Sequence, residues 1–125
     1  MEAKVKIWIE DDLRNLIFGG GKTEVLEYID QTGSIKDAAE KVGMNYKKAW
    51  NHIKILQENV ADDLVLVNKG SNGGTQLTPK ARELIQAYKI LQHDINQFAK
   101  KRFDELFIKD GQMLLNEVKK DENEV

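Results

Sequence analysis

Apolar side chains fall at two rhythms along this chain, and the changes of rhythm mark its elements. From Ala3 to Ile9 the period is two: Ala3, Val5, Ile7 and Ile9 share one face, Lys4, Lys6 and Trp8 the other. Alternation of that length predicts a half-buried strand. Asp11 to Phe18 reads as a connector or a helical turn. Val25, Leu26 and Ile29 then give one side of a first helix, closed by Gly33. Ser34 supplies the N-cap of a second helix, whose apolar positions Ile35, Ala38, Ala39 and Val42 follow the i, i+3, i+4, i+7 rule. Gly43 offers the positive φ of a tight interhelical turn. Asn45 caps a third helix with a stripe of Tyr46, Ala49, Trp50, Ile53 and Leu56, and Ile55 at its margin.

Period two returns at Leu64-Val65-Leu66-Val67. A seven-residue turn with three glycines follows (68–74), and Thr75-Gln76-Leu77 runs back, which predicts a hairpin. Thr78 caps a long helix with Pro79 at its first position. Its seam is Ala81, Leu84, Tyr88, Leu91, Ile95 and Phe98, spaced +3, +4, +3, +4, +3. That 3.5-residue period is the signature of helices that pair. The seam then meets Arg102 and shifts to Phe103, Leu106 and Phe107. Gly111 breaks the helix, Met113, Leu114 and Val118 suggest a last short helix, and residues 119–125 read as a disordered acidic tail.

The fold class expected is therefore mainly α with a small β-hairpin: a winged helix-turn-helix with a long C-terminal dimerisation helix. Three regions are expected: the winged helix over 1–78, long and short helices for dimerisation over 79–118, and the tail. A helix-turn-helix offers its later helix to the major groove of DNA. Lys47, Lys48, Asn51, His52 and Lys54 fall largely opposite the buried stripe of that helix. Asn pairs with an adenine edge and Lys with guanine or phosphate. Lys36 on the second helix and Lys69 on the hairpin tip add candidate phosphate contacts. Tyr46 reads either as a phosphate ligand or as packing, and Trp50 as core.

Charge sharpens this picture. The whole chain carries −2, with a pI of about 5.7. From Ser34 to Arg82, however, eight Lys/Arg face five Asp/Glu, a local +3, against eleven positive and sixteen negative residues elsewhere, −5. Positive charge gathers where the motif lies. With no cysteine there is no disulfide scaffold and no thiolate zinc site, which suits a reducing cytoplasm. No apolar run approaches the roughly 18 residues of a membrane span. Gly19-Gly20-Gly21-Lys22-Thr23 resembles the end of a phosphate-binding loop, but position 16 is Leu where that loop needs Gly, so it reads as a turn before a helix. Ser34 is a cap, Ser71 lies in a turn, and His52 and His93 sit on separate helices. No catalytic residue, metal or cofactor is expected, and no enzyme.

Gly33-Ser34-Ile35, Ala38-Ala39 and Val42-Gly43-Met44-Asn45-Tyr46-Lys47-Lys48-Ala49-Trp50 resemble the N-terminal domain of the ModE family of molybdate-responsive regulators, whose signature runs Gly-Ser-Ile, Ala, Gly-Ile-Ser-Tyr-Lys-Ser-Ala-Trp. The likeness covers about residues 3 to 100. LysR-type regulators share only the looser Ala-Ala…Leu-Thr pattern. The resemblance implies a winged helix, a homodimer and sequence-specific DNA binding, with Asn45, Tyr46, Lys47 and Lys48 as groove contacts. Full-length members carry a molybdate-binding region of small β-barrels. This sequence reaches 125 residues, so molybdate sensing is not carried over, and a separate effector-sensing partner is the alternative. Asn45 stands where the family has Ser, which changes base preference but not capping.

The expectation is a cytoplasmic transcription regulator that binds double-stranded DNA as a homodimer through Leu84, Tyr88, Leu91, Ile95 and Phe98. The rival is a dimeric protein-interaction module on the same scaffold that has lost DNA binding.

Overall fold

A computed structural model describes residues 1–68 and 74–118. The elements are β1 (Trp8–Glu10), β2 (Leu16–Gly19), α1 (Gly20–Thr32), α2 (Ile35–Lys41), α3 (Tyr46–Val60), β3 (Val65–Val67), β4 (Thr75–Leu77), α4 (Pro79–Phe107), β5 (Ile108–Lys109) and β6 (Gln112–Met113). The strands form three separate antiparallel pairs. No helix among the described residues is long and apolar enough to cross a membrane. The chain divides into two compact units, Ile7–Ile90 and Met1–Lys6 with Leu91–Val125.

The larger unit is a winged helix-turn-helix. Its core joins Phe18 of β2, Val25, Leu26 and Ile29 of α1, Ile35, Ala38 and Ala39 of α2, Ala49, Ile53 and Leu56 of α3, Leu64, Val65 and Leu77 of the wing, and Ala81 of α4. The predicted caps are in place: Ser34 Oγ accepts from the Asp37 N–H at 3.1 Å, and Asn45 Oδ1 from the Lys48 N–H at 2.8 Å. Gly33 and Gly43 both have φ of 71°. Thr78 Oγ1 donates to the Asp63 carbonyl and accepts from the Ala81 N–H, tying α4 to the wing. Val65 pairs with Leu77 and Val67 with Thr75. The Thr75 N–H leaves the hairpin to donate to the Gly33 carbonyl at 2.8 Å, which fixes the wing base to the end of α1.

At the N-terminal side, two elements differ from the sequence reading. Residues 16–19 form a strand paired with β1, not a connector. Asp11 makes the turn between them, its Oδ1 accepting from Leu13 and Asn15 N–H groups at 2.9 Å and its carboxyl held below the usual range by the bonds from Asn15. The N-terminal strand is also shorter, since the Ile7 carbonyl is taken by the Tyr88 hydroxyl at 2.8 Å.

In the other unit, Gln92 Nε2 donates to the Val5 carbonyl at 2.9 Å. Phe103 and Phe107 stack with centroids 5.0 Å apart. The expected short helix at 113–118 is not formed. Asp110 and Gly111 have φ of 51° and 77°, the two positive values of a tight hairpin turn, and they join β5 to β6. The tail at 119–125 lies outside the described residues.

Candidate nucleic-acid interface

α3 stands at the centre of the site. Ala38 and Ala39 are fully buried, and their small side chains let α2 and α3 pack closely. The Met44 N–H donates to the Ala39 carbonyl at 2.9 Å, so the turn around Gly43 is itself hydrogen-bonded. The Asn45 cap fixes where α3 begins, and with it the angular position of every later side chain. Ala49, Ile53 and Leu56 face inward. Lys47, Lys48, Asn51 and Lys54 are exposed on the opposite side. Lys36 is exposed on α2. Lys69 lies outside the described residues.

Two candidates, His52 and Tyr46, stand differently from the sequence expectation, while Asn45 is the cap expected of it. Asn45 uses its side-chain oxygen on the Lys48 N–H, so its first role is to start the helix. His52 is half-buried rather than presented with the lysines, because position 52 lies one turn from both Ala49 and Leu56. Its Nδ1 is buried with no hydrogen-bond partner among the described residues. Burial, and then the charges of Lys22 and Lys48, hold its pKa below the ordinary 6.5, so it adds no charge to this face at neutral pH. Tyr46 belongs to the buried stripe by period, yet it is 52% exposed. Trp50 packs against the core only in part.

Sequence reasoning missed a groove between the start of α3 and the wing. Ser34, Lys36, Tyr46, Trp50, Asn68 and Thr75 are among its lining residues. The Asn68 N–H donates to the Gly74 carbonyl at 2.8 Å and closes the wing base beside it. The signal available was the i, i+4 series Tyr46, Trp50, Lys54, which places three long side chains in one row. Lys22, in the glycine-rich stretch, is not a phosphate ligand of a nucleotide loop: its Nζ donates to the Ile17 carbonyl at 3.2 Å, and burial lowers its pKa.

The predicted dimerisation seam is divided. Leu84 and Tyr88 pack on the chain's own core, with Tyr88 edge-on to Phe18 at 5.1 Å. Leu91, Ile95 and Phe98 are 41%, 37% and 63% exposed.

Comparison with known proteins fits this architecture. Residues 22–82, from α1 to the start of α4, match the family of bacterial regulatory helix-turn-helix proteins of the LysR type. The molybdenum-pterin-binding protein MopB of Rhodobacter capsulatus is 38% identical over 72 residues, 56% of this chain and 27% of that protein. The transcriptional regulator ModE of Haemophilus influenzae is 36% identical over 73 residues, 57% of this chain and 29% of that protein. The DNA-binding transcriptional dual regulator ModE of Escherichia coli K12 is 34% identical over 110 residues, 85% of this chain and 39% of that protein. The chain thus spans less than half the length of the curated relatives it matches. With its Tyr-Lys-Lys-Ala-Trp helix start, alanine-packed turn and wing, the chain carries a bacterial regulatory helix-turn-helix domain of the LysR type over residues 22–82 that is similar to the N-terminal part of the ModE regulators.

Proposed function

We propose that this protein regulates transcription as a cytoplasmic homodimer that recognises a specific DNA sequence through α3. The observation that carries the reading is the division of α3 into a fully buried apolar face and an exposed face of Lys47, Lys48, Asn51 and Lys54, its phase set by the Asn45 cap. Lys47 and Asn51 are assigned to base edges, and Lys48, Lys54, Lys36 and Lys69 to phosphates. The exposed part of the α4 seam, Leu91, Ile95 and Phe98, is assigned to the partner copy. A dimer doubles a modest positive footprint and spans two half-sites. Binding, not catalysis, is the assigned activity.

The test begins with duplexes that the protein enriches from a random pool. Fluorescence anisotropy then compares the enriched duplex with a scrambled one across salt concentrations. The expected result is selective binding, with log K falling linearly as log salt rises. Equal affinity for both duplexes rejects sequence specificity. No binding at low salt rejects the DNA reading and favours the interaction module.

A further inference from the structure

Tyr46 and Trp50 form a directed hydrogen bond whose polarity reaches beyond the pair. The indole N–H of Trp50 donates to the Tyr46 hydroxyl oxygen at 2.6 Å. An indole nitrogen is a donor only, so this bond runs one way. The bond takes one acceptor site of the phenol oxygen and leaves its own hydrogen free to donate elsewhere. Among the described residues that hydrogen has no acceptor. The rings meet edge to face, 6.5 Å between centroids at 85°, which holds the phenol in place. Lys54 Nζ lies 5.8 Å from the Trp50 ring centroid, one turn further along the same row.

The same two aromatics line the groove at the wing base, together with Ser34, Lys36 and Asn68. Its described lining residues include a lysine and no carboxylate. A wall with a phenol donor and a cation suits an anion with accepting oxygens. Beside a wing, that anion is the phosphodiester backbone, while base edges meet the Lys47 and Asn51 face.

We propose, resting on the DNA-binding reading above, that Tyr46 is a hydrogen-bond donor to a backbone phosphate and that Trp50 is the positioning residue that fixes it as a donor. Tyr46 enters as a candidate phosphate ligand; its role as a donor held by Trp50, and the dependence of phosphate binding on that bond, are the new content.

Two substitutions separate the roles. Tyr46→Phe removes the hydroxyl and keeps the ring; Trp50→Phe keeps an aromatic ring and removes the N–H. On the enriched duplex, Tyr46→Phe is expected to weaken binding about tenfold, in the range of a hydrogen bond to a charged group. Trp50→Phe is expected to weaken it about threefold alone and to have no effect in the Tyr46→Phe background. Equal losses in both backgrounds mean that Trp50 acts only as packing and overturn its positioning role. Single methylphosphonate linkages, placed in turn along the duplex, identify the acceptor. The Tyr46→Phe deficit should vanish at one linkage per half-site. A deficit that persists at every linkage means a base-edge acceptor and overturns the phosphate assignment. Should Trp50→Phe fail to fold by circular dichroism, Tyr46→Phe and the linkage scan decide the phosphate contact. Tyr46→Phe binding at full affinity overturns this inference alone, whereas a wild-type protein that binds no duplex overturns the DNA reading beneath it.

Discussion

α3 and the part of α4 beyond Ile90 are both helices with an exposed face, and the two faces are opposite in kind. α3 hides Ala49, Ile53 and Leu56 and shows lysines and an asparagine. α4 has no fully buried residue after Ala81 and shows Leu91, Ile95 and Phe98. A cationic face is well solvated by itself, and its attraction to an anion is weakened by salt. An exposed apolar row gains free energy from any cover, at any ionic strength. On the proposed function, the difference separates two kinds of association: one reversible and tuned by salt, the other standing.

That contrast can be broken most forcefully at α4. Ile95→Glu combined with Phe98→Glu places charges in the apolar row and is expected to convert dimer to monomer, with association weakened more than about a hundredfold. Light scattering after size exclusion reads the change. A double variant that remains dimeric means these residues do not form the interface.

Next in size is a matched pair of truncations. Ile53→Ala removes buried atoms from α3 and should cost about 2–4 kcal/mol in urea melts. Ile95→Ala, the same deletion on the exposed row, should cost under about 1 kcal/mol of monomer stability. Equal losses would erase the distinction between the two faces. Lys47→Ala or Asn51→Ala should then lower affinity for the enriched duplex about tenfold while leaving the dimer intact. Full affinity in both would mean that α3 is not the reading element.

The smallest effect concerns His52. Burial and the nearby Lys22 and Lys48 charges favour its neutral ring in the folded state. As pH falls through the ordinary 6.5, the unfolded chain takes up the proton first, so stability present above that value declines below it. His52→Gln should flatten the fall in melting temperature between roughly pH 7.5 and 5.5. An equally steep fall in the variant removes His52 from the account.

What the sequence made legible was local. Ser34, Asn45 and Thr78 announce helix starts because a cap is a bond within three residues, and Gly33 and Gly43 announce turns because few other residues adopt positive φ. Period alone was a poorer guide to partners. The seam of α4 runs unbroken from Ala81 to Phe98, but a repeat does not record where the chain's own core stops and exposed surface begins. Tyr46 shows the same limit: its phase is that of the buried stripe, yet it is half exposed and its ring meets Trp50 of its own helix. Leu16-Ile17-Phe18 was missed as a strand because an apolar run without alternation has no period to read. Asp110-Gly111 carried a hairpin signal that the neighbouring helical spacing masked. For the candidate interface, the lysines of α3 were legible from sequence; the groove at the wing base was not, because its residues, from Gly33 to Thr75, lie up to 42 positions apart in the chain.

The carbonyl of Gly33, which accepts the Thr75 N–H, sits at the point where α1 ends and α2 is about to begin. Gly74 comes so near that a Cβ there would stand 3.1 Å from the same oxygen. β4 lies against α1, and Gln57 Oε1 of α3 accepts the Leu64 and Val65 N–H groups at 2.9 and 3.4 Å, so the wing is anchored to both helices. Mechanically, wing and α3 are two jaws of one braced frame with a set gap. On the DNA reading proposed above, such jaws form a calliper that gauges the width and curvature of the duplex between them, a property that depends on bases neither jaw touches.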